Sequence, residues 1–190
     1  IGRNQMSIAT ATLVDRIVPR TRVNDVALIF SGAALTALAA QVQIPMYPVP
    51  MTLQTFAVLL VAATLGASRG AASMGVYLAM GAAGLPVFAG AKALTAVLPT
   101  AGYLVGFVVA GLVVGALAAR GFSTTPIRVA ASFALGSAII YVLGAGWLVV
   151  GLGLTLPQAL AAGVAPFLVG DAIKAVAAAT LLPIAWKFVR

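Results

Sequence analysis

The stretch Ile44-Pro-Met-Tyr-Pro-Val-Pro50 lies in the middle of an uncharged run, residues 26–68. That run is about twice the ~20 apolar residues needed for one bilayer crossing. Three prolines within seven residues cannot continue a helix, because each lacks an amide donor and disfavours helical geometry at the residue before it. The chain must therefore turn back here, and the run becomes two antiparallel segments. A second overlong run, residues 129–170, breaks in the same way at Gly151-Leu-Gly-Leu-Thr-Leu-Pro157, where flexible glycines precede a proline suited to a helix start.

Working outward, two shorter uncharged runs, 70–91 and 93–119, complete the apolar part of the 190-residue chain. Hydrophobic residues make up 63% and charged residues 7%, where a soluble domain carries about a quarter charged. With a mean hydropathy of +1.15, this composition excludes a water-soluble globule. Proline, glycine and charge divide the chain into six helices near 25–43, 54–67, 70–85, 100–120, 128–150 and 163–188. The expected fold is an all-α integral membrane protein of six transmembrane helices. Residues 1–24 form a cytoplasmic N-terminal segment and 25–190 the membrane domain, with the first span retained.

The eleven Lys and Arg side chains orient that fold. With both termini inside, the cytoplasmic segments hold Arg3, Arg16, Arg20, Arg22, Arg69, Arg120, Arg128, Lys187 and Arg190, and the external loops hold Lys92 alone. Lys174 falls within the last helix. Cations scattered at boundaries, without a basic stripe, fit membrane topology and not nucleic acid. Within residues 1–24, Ile8 to Val18 is the stretch suited to a short interfacial helix.

Absent residue types narrow the chemistry. There is no Cys, His or Glu, so thiolate and imidazole catalysis and most zinc sites lack their ligands. The only carboxylates, Asp15, Asp25 and Asp171, are too far apart in sequence to suggest a general acid/base pair. No GxxxxGK[ST] phosphate loop occurs, so the chain cannot by itself use ATP through that device, and any pumping energy must arrive from elsewhere. The sequence points to no enzyme and to no cofactor.

Asp171 and Lys174 are the only charges deep in an apolar segment. Three residues apart on a helix, they share one face. A charge at mid-bilayer costs about 2.5–3.5 kcal/mol on insertion scales, and such residues mark ligand or ion pathways. A carboxylate accepts and an ammonium donates, so the pair complements a neutral group with N–H donors beside a carbonyl, as in a cyclic urea. The two external loops are unusually apolar, with Met46, Tyr47, Val49 and Met51 in one and Leu85, Val87 and Phe88 in the other. As lids over a cavity, with Thr52, Gln54 and Tyr103 adding polar contacts, they make a binding pocket. Lys92 at its mouth is placed to attract a carboxylate.

Small residues recur at four-residue spacing at Gly102, Gly106 and Ala110, at Gly111 and Gly115, and at Ser132 and Gly136, with Ile140 interrupting the last series before Gly144. Such faces let helices approach closely, most simply within the chain. In the first helix, Ala33 and Ala37 form AxxxA beside a stripe of Gly32, Thr36 and Ala40.

Four stretches in this order resemble the BioY family, the biotin-specific substrate-capture (S) components of energy-coupling-factor (ECF) transporters. They are Pro45 to Thr55, Gly84-Leu-Pro-Val-Phe-Ala-Gly90, Pro99-Thr-Ala-Gly-Tyr-Leu-Val-Gly-Phe107 and Phe167-Leu-Val-Gly-Asp-Ala-Ile-Lys174. The family more often has a glycine-rich second external loop and Gly-Pro-Thr-Gly-Gly-Tyr, where this chain has Ala91-Lys92-Ala93 and Leu98-Pro-Thr-Ala-Gly-Tyr103. The resemblance implies an S-component-like bundle in the plasma membrane that binds biotin from outside without catalysis. It implies as partners a transmembrane coupling (T) subunit and two cytoplasmic ATPases that drive inward release. By the same resemblance Asp171 accepts the ureido N–H and Lys174 donates to the ureido carbonyl, or, in the opposite polarity, Lys174 holds the valerate carboxylate. The Ala33/Ala37 face then docks the T subunit, and enlarging either alanine is expected to spare biotin binding while impairing uptake. Two other readings compete with this one. In the first, an ion- or proton-coupled carrier moves another small solute with Asp171 as its titrating group; in the second, the chain is a structural subunit without a ligand.

Overall fold

The computed structural model describes residues 11–94 and 98–189. Among them are seven α-helices and one two-stranded ribbon: α1 Arg22–Gln41, β1 Gln43–Ile44, β2 Met51–Thr52, α2 Gln54–Leu65, α3 Ala67–Ala82, α4 Ala101–Leu117, α5 Pro126–Leu152, α6 Leu156–Gly163 and α7 Phe167–Phe188. Helix α1 starts where the Thr21 side chain accepts the Asn24 amide at 3.1 Å, with Asp25 in the first turn favouring the positive helix end. It ends before the proline-rich stretch, which folds into an antiparallel ribbon pairing Gln43 with Thr52 and Ile44 with Met51.

Helices α2 and α3 meet at Gly66, whose φ of +86° is open to glycine and resisted by side chains. The helix boundary therefore falls at Gly66, before the charge at Arg69 that marks it in the sequence. With 12 and 16 residues, α2 and α3 span roughly 18 and 24 Å at 1.5 Å per residue, less than the ~30 Å hydrocarbon core. Among the described residues, four helices are long and apolar enough to cross a membrane: α1, α4 with the π-turn Ala118–Phe122 that follows it, α5 and α7.

The last expected helix, 163–188, differs in the structure. A separate short helix, α6, precedes it, begun by a Thr155/Gln158 capping box after Gly153 takes a left-handed conformation. Val164 leaves helical geometry, and Pro166, with no amide to donate, sits at the start of α7. Asp171 and Lys174 thus lie in the first two turns of α7, nearer its end than the undivided helix implies. Of the expected interfacial helix Ile8–Val18, residues 8–10 lie outside the described residues, and the remainder forms a single 3₁₀ turn at Val14–Arg16.

Small-residue faces close the bundle from within. Gly106 of α4 meets the Ile140 backbone of α5 so closely that an added Cβ would come 3.0 Å from the Ile140 Cα, and Gly111 meets Ala71 of α3. Ala33 is likewise consumed inside the chain: it is 0% exposed in the core, and Ala37 is partly buried against that core. Ala33 is therefore closed off from an outward docking face, because α1 turns it toward its own neighbours and exposes Val23, Phe30 and Leu38 instead, while Ala37 stays half-buried.

At the end opposite the ribbon, Arg69 is buried and not a boundary cation in water. Its Nε donates to Leu65 O at 3.0 Å, its Nη1 to Asp25 Oδ1 at 3.1 Å, and its Nη2 to Asp15 Oδ1. Asp15 also receives the Arg20 Nε at 2.9 Å and the Thr12 amide at 3.0 Å. Two carboxylates distant in sequence thus converge on one guanidinium.

Candidate binding pocket

The ribbon, the adjoining ends of α2, α4 and α7, and the middle of α5 line a pocket. Its wall is mostly apolar, with Val49 and Pro50 from the ribbon, Tyr103, Leu104 and Phe107 from α4, Ile140 from α5 and Phe167 from α7. An apolar wall with a few converging polar groups suits a small organic molecule. Thr52, Gln54, Thr55, Thr100, Tyr141, Asp171 and Lys174 add the polar groups.

Asp171, 8% exposed, and Lys174 form a buried ion pair with Nζ–Oδ1 at 2.8 Å. The Lys174 ammonium also donates to Thr52 O at 2.7 Å and to Thr55 Oγ1 at 2.8 Å. The Thr55 hydroxyl in turn donates a hydrogen bond to Asp171 Oδ1 at 3.0 Å, and Tyr141 donates to Asp171 Oδ2. Four elements, β2, α2, α5 and α7, thereby meet at one ion pair. A buried pair needs such satisfied partners, since an uncompensated charge there costs several kcal/mol.

Thr52 and Gln54, both expected at the site, line the cavity as a locked unit. Thr52 Oγ1 donates to Gln54 Oε1 at 3.0 Å, Gln54 Nε2 donates to Tyr77 OH at 2.6 Å, and Tyr77 donates to Val87 O at 3.1 Å. Tyr103 also lines the cavity, but its hydroxyl donates to Gly163 O at 2.7 Å, so it offers the cavity its ring.

Three expected residues are placed elsewhere. Tyr47, at the ribbon tip between Pro45 and Pro48, is 91% exposed, while Val49 of the same tip is the residue turned inward. Phe88 is only 2% exposed, yet it fills the slot left by Gly81 and meets the Tyr77 ring edge-on, with centroids 5.3 Å apart. Lys92 exchanges backbone hydrogen bonds with Phe88 in an exposed loop, and its side chain is not part of the cavity lining. Conversely, Thr55 and Tyr141 belong to the polar end without having been singled out. Thr55 lies in the recognisable Pro45–Thr55 stretch, whereas no sequence pattern marks Tyr141.

A family comparison adds an independent observation: the model of the BioY family matches residues 9–190. The chain belongs to the BioY family. Among BioY relatives, the biotin transporter BioY of Thermotoga maritima is 41% identical over 150 residues, covering 78% of this chain and 87% of that protein. The biotin transporter BioY of Rhodobacter capsulatus is 38% identical over 159 residues, covering 76% and 83%. The BioY relatives are named as transporters and not as enzymes. The fold matches a crystal structure of the S-component for biotin from an ECF-type ABC transporter with a TM-score of 0.78, over 90% of this chain and 95% of that one, at 22% identity. The BioY chain thus shares the S-component fold.

Proposed function

We propose that this chain is the biotin-capturing S component of an ECF-type vitamin uptake transporter. The observation that carries the reading is a mostly apolar cavity closed at one end by the Asp171–Lys174 pair. Biotin has matching parts: a cyclic urea for the polar end and an aliphatic chain for Leu104, Phe107 and Phe167. Asp171 faces the ureido N–H, while Thr52 and Gln54 shape the neighbouring wall. The names of the BioY relatives support biotin as the cargo.

Energy comes from partners, a T subunit and two cytoplasmic ATPases, consistent with a chain that has no phosphate loop. In the membrane, α2 and α3 act as two short crossings joined at Gly66, giving six spans in all. Both termini are cytoplasmic, since Arg20, Arg69, Arg120 and Arg128 gather at the end away from the cavity.

Thermal unfolding of the detergent-purified protein tests the cargo. At a hundredfold excess over Kd, a ligand that binds only the folded state adds about 2.7 kcal/mol. Biotin should raise the midpoint by several degrees, and thiamine or riboflavin should not. Stabilisation by another solute and not by biotin would keep the fold and remove the assignment.

A further inference from the structure

Every side-chain carboxylate of the chain is already engaged by a cation. Asp15 takes Arg20 and Arg69, Asp25 takes Arg69, and Asp171 takes Lys174. Arg120, Arg128 and Lys187 are exposed, and among the described residues none of them has an ion-pair partner. With no side-chain carboxylate left over, the counter-charge for these three must come from another molecule.

Three elements bring these cations to one corner of the end away from the cavity. Arg120 lies in the π-turn after α4, one residue before Gly121, whose φ of +85° turns the chain toward α5. Arg128, in the first turn of α5, folds back over that turn, its Cζ 5.9 Å from the centre of the Phe122 ring and its Nη1 3.8 Å from where a Cβ on Gly121 would stand. The Trp186 indole of α7 donates to Ser123 Oγ at 3.0 Å, which fastens the end of α7 to the same turn, and Lys187 follows directly. Apolar side chains stand beside the charges: Ile127 next to Arg128 and Phe188 next to Lys187 are both strongly exposed. The other edge of this end differs, because there Arg16, Arg20, Arg22 and Arg69 share the sequence with Asp15 and Asp25, and their charge is half cancelled within the chain.

We propose that the corner formed by Arg120, Arg128 and Lys187 binds the anionic headgroup of a membrane phospholipid, with the acyl chains along Ile127 and Phe188. A phosphodiester answers the cations, and its hydrocarbon covers the apolar neighbours that a soluble anion would leave in water. The Arg128 fork suits a phosphate because it donates two parallel N–H bonds, and the Phe122 ring beneath holds it in place. The site is independent of the cargo and needs only that the turn at Gly121 lie at a membrane surface. A lipid held there ties the α4–α5 turn and the end of α7 to the headgroup layer.

Lipid titration of the detergent-purified full chain, read by native mass spectrometry, tests this with phosphatidylglycerol against phosphatidylcholine. The wild type should bind phosphatidylglycerol at least fivefold more tightly. At about fivefold per surface cation, Arg120→Gln/Arg128→Gln should weaken that binding about tenfold or more. Arg16→Gln/Arg22→Gln removes the same charge from the other edge and should weaken it less than threefold. A thermal midpoint within a few degrees of wild type shows that each variant is folded. A wild type without preference for phosphatidylglycerol overturns the proposal, as does an equal loss in the two double variants, which would mark the general field of a basic chain and not a site. Displacement of the lipid by millimolar inorganic phosphate overturns the lipid assignment in favour of a free anion. Photoactivatable phosphatidylglycerol in vesicles holding the wild type decides the placement without any variant: its label should fall on the 118–128 turn or the end of α7, and label confined to other segments overturns the site.

Discussion

Thr55 is the smallest group in the polar cluster and the one that joins its charges, accepting from Lys174 and donating to Asp171. Thr55→Val keeps the shape and removes both bonds, leaving an ammonium N–H unpaired in an apolar wall. Loss of a buried partner of this kind costs about 1–3 kcal/mol, and Thr55→Ser restores the hydroxyl. In detergent, thermal unfolding of Thr55→Val should begin several degrees below wild type with weaker biotin binding, while Thr55→Ser stays close to wild type in both. A valine variant with unchanged midpoint and affinity would show that the pair does not depend on this bridge. The sequence makes Asp171 and Lys174 legible because their contact is local, three residues apart on one helix. Thr55 and Tyr141 reach the same carboxylate across 116 and 30 residues of chain. Those contacts depend on how α2, α5 and α7 align, which no periodicity records.

Elements carry the same division between local and non-local causes. The turn at Ile44–Pro50 and the break near Gly151–Pro157 are legible because proline and glycine act on their own backbone. Which face of a helix turns inward is set by neighbours, and here α1 is instructive. Its AxxxA pair reads as a docking face, yet Ala33 is wholly buried in the core, and the hydrophobic pattern of a membrane helix gives little contrast between lipid and core. Ala33→Leu should therefore overpack the core, costing about 1–3 kcal/mol, so that thermal stability, biotin binding and uptake fall together. Intact binding with uptake alone impaired would return Ala33 to an outward surface. The loops show the same limit. Both external loops read as apolar lids, but Tyr47 has no neighbour to draw it in, whereas Gly81 leaves a slot that takes Phe88 away from the cavity.

Across the whole molecule, the binding pair and the cationic end are separated by the length of the bundle, and the Asp15–Arg69–Asp25 cluster ties the N-terminal turn to α1 and α3 at that far end. Arg69 is legible as a boundary cation; that Asp15 and Asp25 would close on it is not, since they lie 54 and 44 residues away. The cluster makes stability depend on pH in a definite direction. Burial pushes the Asp15 carboxyl up, but hydrogen bonds from Arg20, from Thr12 and from Arg69 outweigh it and hold the carboxyl well below the usual carboxylate range. A group with a depressed folded value contributes its stability fully above its unfolded value of about 3.9, and loses it as pH falls toward the folded value. The thermal midpoint of the wild type in detergent should therefore fall as pH drops below about 4. Asp15→Asn cannot take part in this titration, so it should begin less stable near neutrality and lose less on acidification. Parallel curves for the two proteins between pH 6 and 3 would mean that the Asp15 contacts contribute nothing to holding the N-terminal turn against α3.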